Sequence, residues 1–175
     1  WSFPGSPDGE KKQQSYIDAL NGLIHHINEN YHMSVLLIPM DIANASKSRF
    51  KNVIKKYLAK FIKLRDLSEK SLINQILKEN HSNERLRVLK GRYSPSVVKT
   101  IISLSELHVA TRMHSSIFAA SAGVPILGIA YEPKMKSFME ILHQEDYLMD
   151  IYNVDALEII TRFDNLWEKR QESKQ

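Results

Sequence analysis

Short runs of aliphatic and β-branched residues alternate along this chain with longer segments whose hydrophobic positions recur every three or four residues. The short runs predict strands at residues 35–38, 107–110 and 126–130, with a weaker, charge-interrupted fourth at residues 86–89. Nearly continuous apolar runs are typical of strands covered on both faces. Because predicted strands and helices alternate, we expect an α/β fold: a Rossmann-like parallel sheet with helices on both faces.

The segments between the strands carry hydrophobic residues at helical spacing. The patterns run from Tyr16 to Ile27 in a helix that begins near Asp8, from Phe50 to Phe61, from Ser94-Pro95 to Ile102, from Met135 to Leu142, and from Asp155 onward. Proline fits the first turn of the third helix, and Asp155 followed by Glu158 forms a capping box for the last. No internal repeat or low-complexity segment divides the chain, so we expect residues 1–175 to form a single domain.

Composition limits the chemistry of this domain. The 175 residues are 43% hydrophobic and include no cysteine. A core is therefore attainable without disulfides, and a thiolate zinc site and a cysteine nucleophile are excluded. No run approaches the roughly 18 apolar residues that span a bilayer, and no segment is typical of a signal peptide. We expect a cytoplasmic protein, with peripheral attachment to the inner face of the membrane as the alternative.

Much of the positive charge is local. Residues 47–65 contain eight basic residues and no acidic one, within a net charge of +4. A solvated basic helix face is the plainer interpretation, and attraction to an anionic membrane surface is the alternative. No nucleic-acid motif or aromatic stacking pattern accompanies the segment, so we expect no nucleic-acid partner.

Arg112 and His114 stand one residue apart, directly after a predicted strand. Positions i and i+2 point the same way only in an extended chain. If the two side chains act together, they precede the next helix, with Met113 turned to the apolar side and Ser115 or Ser116 as the cap. This arrangement lies at the carboxyl edge of a parallel sheet, where such folds bind ligands.

The chemistry of this turn suits an anion with several oxygens. Free N–H groups from Ser115 onward, the helix dipole and the Arg112 guanidinium favour phosphate or carboxylate, and His114 adds a group that exchanges a proton near neutral pH. Tyr131-Glu132-Pro133-Lys134 brings a carboxylate and an ammonium to the same edge if the two strands are neighbours. Singly, each residue has an ordinary explanation as a surface charge or packed histidine; their joint placement predicts a site.

The remaining histidines have no ligand-like spacing with acidic residues. We therefore interpret His25, His26, His32, His81, His108 and His143 as surface or packing residues. No metal site is expected.

Three stretches resemble the C-terminal half of the polysaccharide pyruvyl transferase family. They are Ala-Thr-Arg-Met-His-Ser-Ser-Ile-Phe-Ala at 110–119, Ala-Gly-Val-Pro-Ile at 122–126 and Ile-Ala-Tyr-Glu-Pro-Lys at 129–134. The resemblance implies the second Rossmann-like half of a two-domain enzyme similar to GT-B glycosyltransferases, with a first domain outside this chain. Such enzymes transfer pyruvyl from phosphoenolpyruvate to two sugar hydroxyls, forming a ketal in cell-surface or extracellular polysaccharide.

The resemblance also implies roles for single residues. Arg112 matches the family's arginine for the phosphoenolpyruvate anion, and His114 its histidine at the reacting centre. Met113 and Ser115, within the same motif, are expected to contact substrate. Glu132 and Lys134 match a tyrosine-acid-x-lysine turn that is also expected to bind substrate. Phosphoenolpyruvate serves as co-substrate, a sugar is the acceptor, and no cofactor is expected.

Two alternatives stay open at this point. A GT-B-type glycosyltransferase or nucleotide-sugar epimerase would use the same sheet edge for a nucleotide diphosphate, although no matching glycine-rich loop or ribose-binding acid follows the strands. A non-catalytic relative would bind anionic glycans or a membrane-associated complex through residues 47–65.

Overall fold

The structure, a computed structural model, describes residues 8–40 and 69–170. The elements in chain order are α1 (Gly9–Asn30), β1 (Val35–Leu37), α2 (Glu69–Glu79), β2 (Leu86–Val88), α3 (Pro95–Ser103), β3 (His108–Ala110), α4 (Met113–Ala120), β4 (Ile126–Ala130), α5 (Pro133–Ile141), a 3₁₀ turn (Glu145–Tyr147), β5 (Leu148–Asp150) and α6 (Ala156–Lys169). The helix predicted from Phe50 and the basic segment 47–65 lie outside the described residues.

The strands divide between two parallel sheets. β1 pairs with β2, and β3, β4 and β5 form the second sheet in that order. In the second sheet, Ala110 of β3 lies opposite Gly128 of β4, and Ala130 of β4 lies opposite Asp150 of β5. The predicted α/β class with parallel strands is confirmed.

β4 separates two hydrophobic cores. Leu127 and Ile129 face a core built mainly from α1, α2 and α6. Ile126, on the other face, packs into a core built from α3, α4 and α5. Because helices cover both faces, a continuous apolar run is the pattern expected for this strand.

Two predicted helix starts are present, and each carries a side-chain cap. The Ser94 hydroxyl accepts from the Val97 N–H, with proline in the first turn of α3. The Asp155 carboxylate accepts from the Glu158 N–H at 2.8 Å and begins α6. Both caps satisfy N–H groups that a helix leaves without an internal partner.

α6 closes the first core by packing against α1. The Asp164 carboxylate oxygen Oδ1 lies 2.7 Å from His26 Nε2 on α1. It also lies 2.7 Å from the hydroxyl of Tyr31, the first residue after α1. Burial, followed by the hydrogen bond to Asp164, raises the pKa of Tyr31 to about 12. Across the described ranges, no helix is both long and apolar enough to cross a membrane.

The hydrophobic pattern of the sequence did not predict two elements, α2 and β5. α2 places Leu72, Ile73 and Ile76 at helical spacing and buries all three. β5 is only three residues long and buries Met149 alone. A strand this short leaves almost no periodic signal, but it extends the second sheet beyond β4.

Candidate functional site

The carboxyl ends of β3 and β4 are neighbours, as the predicted site requires. Arg112 follows β3 by two residues and is the N-cap of α4, and Glu132 follows β4 by two residues and is the N-cap of α5. Both residues have extended backbones, with φ −119° and −131°, and neither side chain caps its helix. The two strands therefore deliver a cation and a carboxylate from equivalent positions at one edge.

α4 begins earlier than the sequence suggested. The N–H groups of Ser115 and Ser116 donate to the Arg112 carbonyl at 3.0 and 3.3 Å, which closes the first helical turn directly after Arg112. The extended segment predicted through His114 is wrong, because Met113 and His114 already belong to the helix. Arg112 and His114 both still lie at its N-terminus, but the prediction that their side chains point the same way does not follow once His114 is helical.

The two serines are not caps. Their hydroxyls donate back to the Arg112 carbonyl, at 2.8 Å from Ser115 and 3.5 Å from Ser116. Both side chains are buried, and the Ser116 hydroxyl also lies 3.4 Å from Met135 Sδ on α5. Small hydroxyls placed here let α4 pack closely against α5, so the serines position the helix.

Among the described residues, the N–H groups without an acceptor at the start of α4 belong to its first two residues. The prediction that free N–H groups begin at Ser115 is wrong, because the Ser115 N–H is used within the helix. In the described part of the chain, neither the Met113 nor the His114 N–H has an acceptor. Such groups at a helix N-terminus favour a bound anion.

The site side chains differ in exposure. Arg112 is half-buried, with its guanidinium Nε inside the protein, while His114, Glu132 and Lys134 are exposed. Met113 is half-buried, but among the described residues it packs against neither core, so the expected apolar anchor is not found. Arg112 is thus the most buried cation of the group, and His114 is accessible to a ligand.

Two of the predicted site residues, Arg112 and Ser115, line the same cavity. The described residues enclose about 500 Å³ between β1 and β3, with a largely aliphatic wall from α1, β1 and α2. Polar side chains cluster beside β3: Ser105, Glu106, His108, Thr111, Arg112 and Ser115. Arg112 therefore lies where an apolar cavity meets a polar edge.

His108 is a half-buried histidine on the wall of this cavity. Burial lowers its pKa to about 4, so the imidazole is neutral at pH 7. Its Nε2 is buried and has no hydrogen-bond partner among residues 8–40 and 69–170. The interpretation of His108 as a packing residue agrees with this burial, but its place beside Arg112 was not predicted.

Glu132 lines a different cavity. A space of about 480 Å³ at the carboxyl ends of β4 and β5 is bordered by Tyr131, Glu132, Pro133, Lys136, Glu145, Asp150 and Tyr152. Asp150 and Tyr152 were missed because β5 was missed; the apolar pair before Asp150 and the isoleucine after it were the available signal. Met113, His114 and Lys134 line neither cavity.

The edge as a whole is suited to anions. A half-buried guanidinium, an exposed imidazole and an ammonium lie at the starts of α4 and α5, together with two N–H groups that have no acceptor among the described residues. Within the described ranges, no group of three or more His, Cys, Asp or Glu residues is placed to hold a metal ion. The arrangement can bind an oxyanion and exchange a proton beside it.

Comparison with known proteins adds one finding. A family model described as polysaccharide pyruvyl transferase matches residues 4–133. No curated protein matches the chain, and no solved structure does. The matched range includes β3, the start of α4, β4 and Glu132.

Proposed function

This chain belongs to the polysaccharide pyruvyl transferase family, and on that premise we propose that it uses phosphoenolpyruvate to form a pyruvyl ketal on a sugar. The observation that carries the proposal is the placement of Arg112 and His114 at the start of α4, inside the range matched by the family model. An arginine and a helix N-terminus are suited to the phosphate or carboxylate of this donor. The pathway is the synthesis of cell-surface or extracellular polysaccharide.

Arg112 and the first turn of α4 hold the donor in this proposal. The guanidinium forms paired hydrogen bonds with one anionic group, and the N–H groups of Met113 and His114 donate to the same anion. Ser115 supports this geometry by fixing the Arg112 carbonyl, at 2.8 Å from its hydroxyl. Lys134, at the start of α5, adds positive charge at the neighbouring turn.

The reaction needs two proton transfers and no net oxidation. A proton is added to the methylene carbon of phosphoenolpyruvate, which becomes the methyl group, and the first sugar hydroxyl forms a C–O bond to the carbon bearing the phosphate. The second hydroxyl then forms its own C–O bond to that carbon as the C–O bond to phosphate breaks. The two hydroxyls lose two protons, of which one balances the new methyl group and the other leaves with phosphate or water.

His114 is the proton carrier in this scheme, because it is exposed and adjacent to the anion site. Glu132 orients the acceptor in this proposal, since a carboxylate at the neighbouring helix start accepts hydrogen bonds from sugar hydroxyls. The domain would form the donor side of a cleft in a two-domain, GT-B-like enzyme. A second domain would then supply much of the acceptor site.

The test is product identity with the intact protein. Phosphoenolpyruvate and a panel of sugars, free, nucleotide-linked and lipid-linked, are incubated with the protein, and the products are analysed by NMR and phosphate release. The proposal expects one new ketal methyl group for each phosphate released. Consumption of a nucleotide sugar without phosphoenolpyruvate would instead indicate a glycosyltransferase or epimerase.

A further inference from the structure

One edge of β1 faces the cavity between β1 and β3. The Val35 N–H donates to the Arg85 carbonyl at 2.8 Å, so Val35 is bonded to the β2 side. The Leu37 carbonyl accepts from the Leu89 N–H at 2.9 Å on the same side. Successive residues of a strand in a parallel ladder direct their N–H and C=O groups to opposite sides. The backbone groups of Leu36 therefore point away from β2, toward the cavity that Leu36 lines.

β3 presents a matching edge from the other side of the cavity. The His108 N–H donates to the Pro125 carbonyl at 2.9 Å, so His108 is bonded to β4 and the backbone groups of Val109 point away from β4. Val109 also lines the cavity. Within residues 8–40 and 69–170, β1 pairs with β2 alone and β3 pairs with β4 alone. Two strand edges, each with backbone groups that need partners, thus border one cavity.

The cavity has the size of one short strand. A strand fills roughly 160 Å³ per residue, given a rise of about 3.3 Å, a strand spacing of about 4.8 Å and a layer about 10 Å thick. The cavity of about 500 Å³ therefore holds about three residues, and β1 and β3 are each three residues long. Its wall is largely aliphatic, which suits a strand covered by helices. The buried His108 Nε2, which has no partner among the described residues, is a further polar atom on this wall that an inserted backbone can satisfy.

The positions of the helices indicate which strand fits this place. α2, the described helix between β1 and β2, packs in the first core through Leu72 and Ile76. α1, which leads into β1, packs in the same core through Leu23 and Ile24. Connections between parallel strands are right-handed in nearly all proteins. Because α1 and α2 share one face, a parallel strand that leads into α1 lies on the side of β1 opposite to β2, which is the side of the cavity.

α1 also begins at the correct edge for such a strand. Lys12, in the first turn of α1, has its Nζ 5.2 Å from the ring centroid of Tyr152, which follows the carboxyl end of β5. α1 ends at Asn30, shortly before the amino end of β1. A strand that reaches the carboxyl edge and continues into α1 is therefore parallel to its neighbours.

We propose that the cavity between β1 and β3 is the docking place of a further parallel strand, carried by the polypeptide that leads into α1. Its backbone bonds to Leu36 on one side and to Val109 on the other. The two sheets then become one, in the order β2, β1, inserted strand, β3, β4, β5. The chain progresses in opposite directions on the two sides of the boundary between the inserted strand and β3. Ligands bind at the carboxyl edge of such a switch point, and Arg112 lies at that edge.

Amide hydrogen exchange of the intact protein, followed residue by residue by NMR, tests the proposal without any substitution. The amides of Val35 and His108 are internal references, because both are bonded within their sheets. The amides of Leu36 and Val109 should exchange as slowly as these references, to within about tenfold, because an inserted strand makes all four part of one core. A larger excess in the exchange rates of Leu36 and Val109 would overturn the proposal.

Nuclear Overhauser effects in the same protein identify the occupant. Leu36 and Val109 should each show contacts to residues ahead of α1. Direct contacts between Leu36 and Val109 would instead show that β1 pairs with β3. Contacts found only between labelled and unlabelled molecules in a mixed sample would show that a second copy supplies the strand. Either of these two results would overturn the proposal.

A disulfide test addresses direct pairing of the two sheets independently, because this chain contains no cysteine. Val109→Cys is combined in turn with Val35→Cys and with Leu37→Cys, since these three side chains pack on the same core. An inserted strand holds the paired Cα atoms at least about 9 Å apart, whereas a disulfide requires about 7 Å or less. The matched control, Leu37→Cys/Val88→Cys, joins register partners of β1 and β2 and should oxidise. A disulfide between Val109→Cys and either position of β1 would overturn the proposal.

Discussion

Replacement of His114 by alanine tests proton transfer with little disturbance of the fold. The imidazole is exposed in the first turn of α4 and has no hydrogen-bond partner in the described part of the chain. Surface substitutions of this kind usually change the free energy of unfolding by about 0.5 kcal/mol or less. A large loss of turnover would therefore report on chemistry.

The expected loss of turnover follows from the proposed role of His114 as a proton carrier. A positioned acid or base typically contributes about 10²- to 10⁴-fold in rate, which corresponds to about 3–5 kcal/mol of transition-state stabilisation. We expect kcat of His114→Ala to fall at least about 100-fold. The KM of phosphoenolpyruvate should change less than about threefold, because Arg112 and the N–H groups of α4 remain in place.

The assay is the initial rate of phosphoenolpyruvate-dependent phosphate release by the intact protein across a range of pH. His25→Ala is the matched control, because His25 is exposed on α1 and makes only a surface pair with Glu29, at 3.0 Å. His114→Gln retains a hydrogen-bonding side chain but cannot carry the proton, so it should be nearly as slow as His114→Ala. Turnover of His114→Ala within a few-fold of the parent would refute the role.

Three further predictions concern Arg112 in the donor site, Gly128 in the second sheet and His108 on the cavity wall. Arg112→Lys should raise the KM of phosphoenolpyruvate about tenfold, because an ammonium cannot form the paired hydrogen bonds of a guanidinium; an unchanged KM in donor titrations would contradict the assignment. Gly128→Ala should lower the free energy of unfolding by about 1 kcal/mol, because its Cβ would lie 2.8 Å from Leu148 Cδ1 and the Leu148 side chain must move away. An unaltered midpoint of urea unfolding would contradict this expected clash. Stability should fall as the pH drops from 6.5 toward 4, because the unfolded chain takes up a proton that His108 in the folded protein does not. His108→Leu should remove this pH dependence, which amounts to at most about 3 kcal/mol in the free energy of unfolding. Urea unfolding of the parent and the variant at about pH 7 and pH 5 is the measurement, and an equal loss of stability in both proteins would contradict this role of His108.

The sequence predicted those elements whose signals are local. Residues 126–130 read as a strand covered on both faces, and the structure has Ile126–Ala130 with a core on each side. Ser94 and Asp155 begin their helices through side-chain hydrogen bonds that residue type and spacing already indicate. Neighbouring strands and short connections then follow from the alternation of elements, so the sheet edge carrying Arg112 and Glu132 could be located.

The start of α4 could not be predicted, because it depends on contacts distant in sequence. The i and i+2 spacing of Arg112 and His114 predicts that both residues precede the helix. The helix instead begins at Met113, where Ser116 is buried against Met135 of α5 and the serine hydroxyls bond to the Arg112 carbonyl. The burial of His108 Nε2 likewise depends on elements distant in sequence, which no local pattern encodes.

The most direct test of the central claim is calorimetric titration of phosphoenolpyruvate into the intact protein and into its Arg112→Leu variant. The account predicts saturable binding by the parent and a fall in affinity of at least about tenfold in the variant, with thermal unfolding little changed. Equal affinity in the two proteins, or no binding by the parent, would contradict the assignment of the β3–α4 edge to phosphoenolpyruvate.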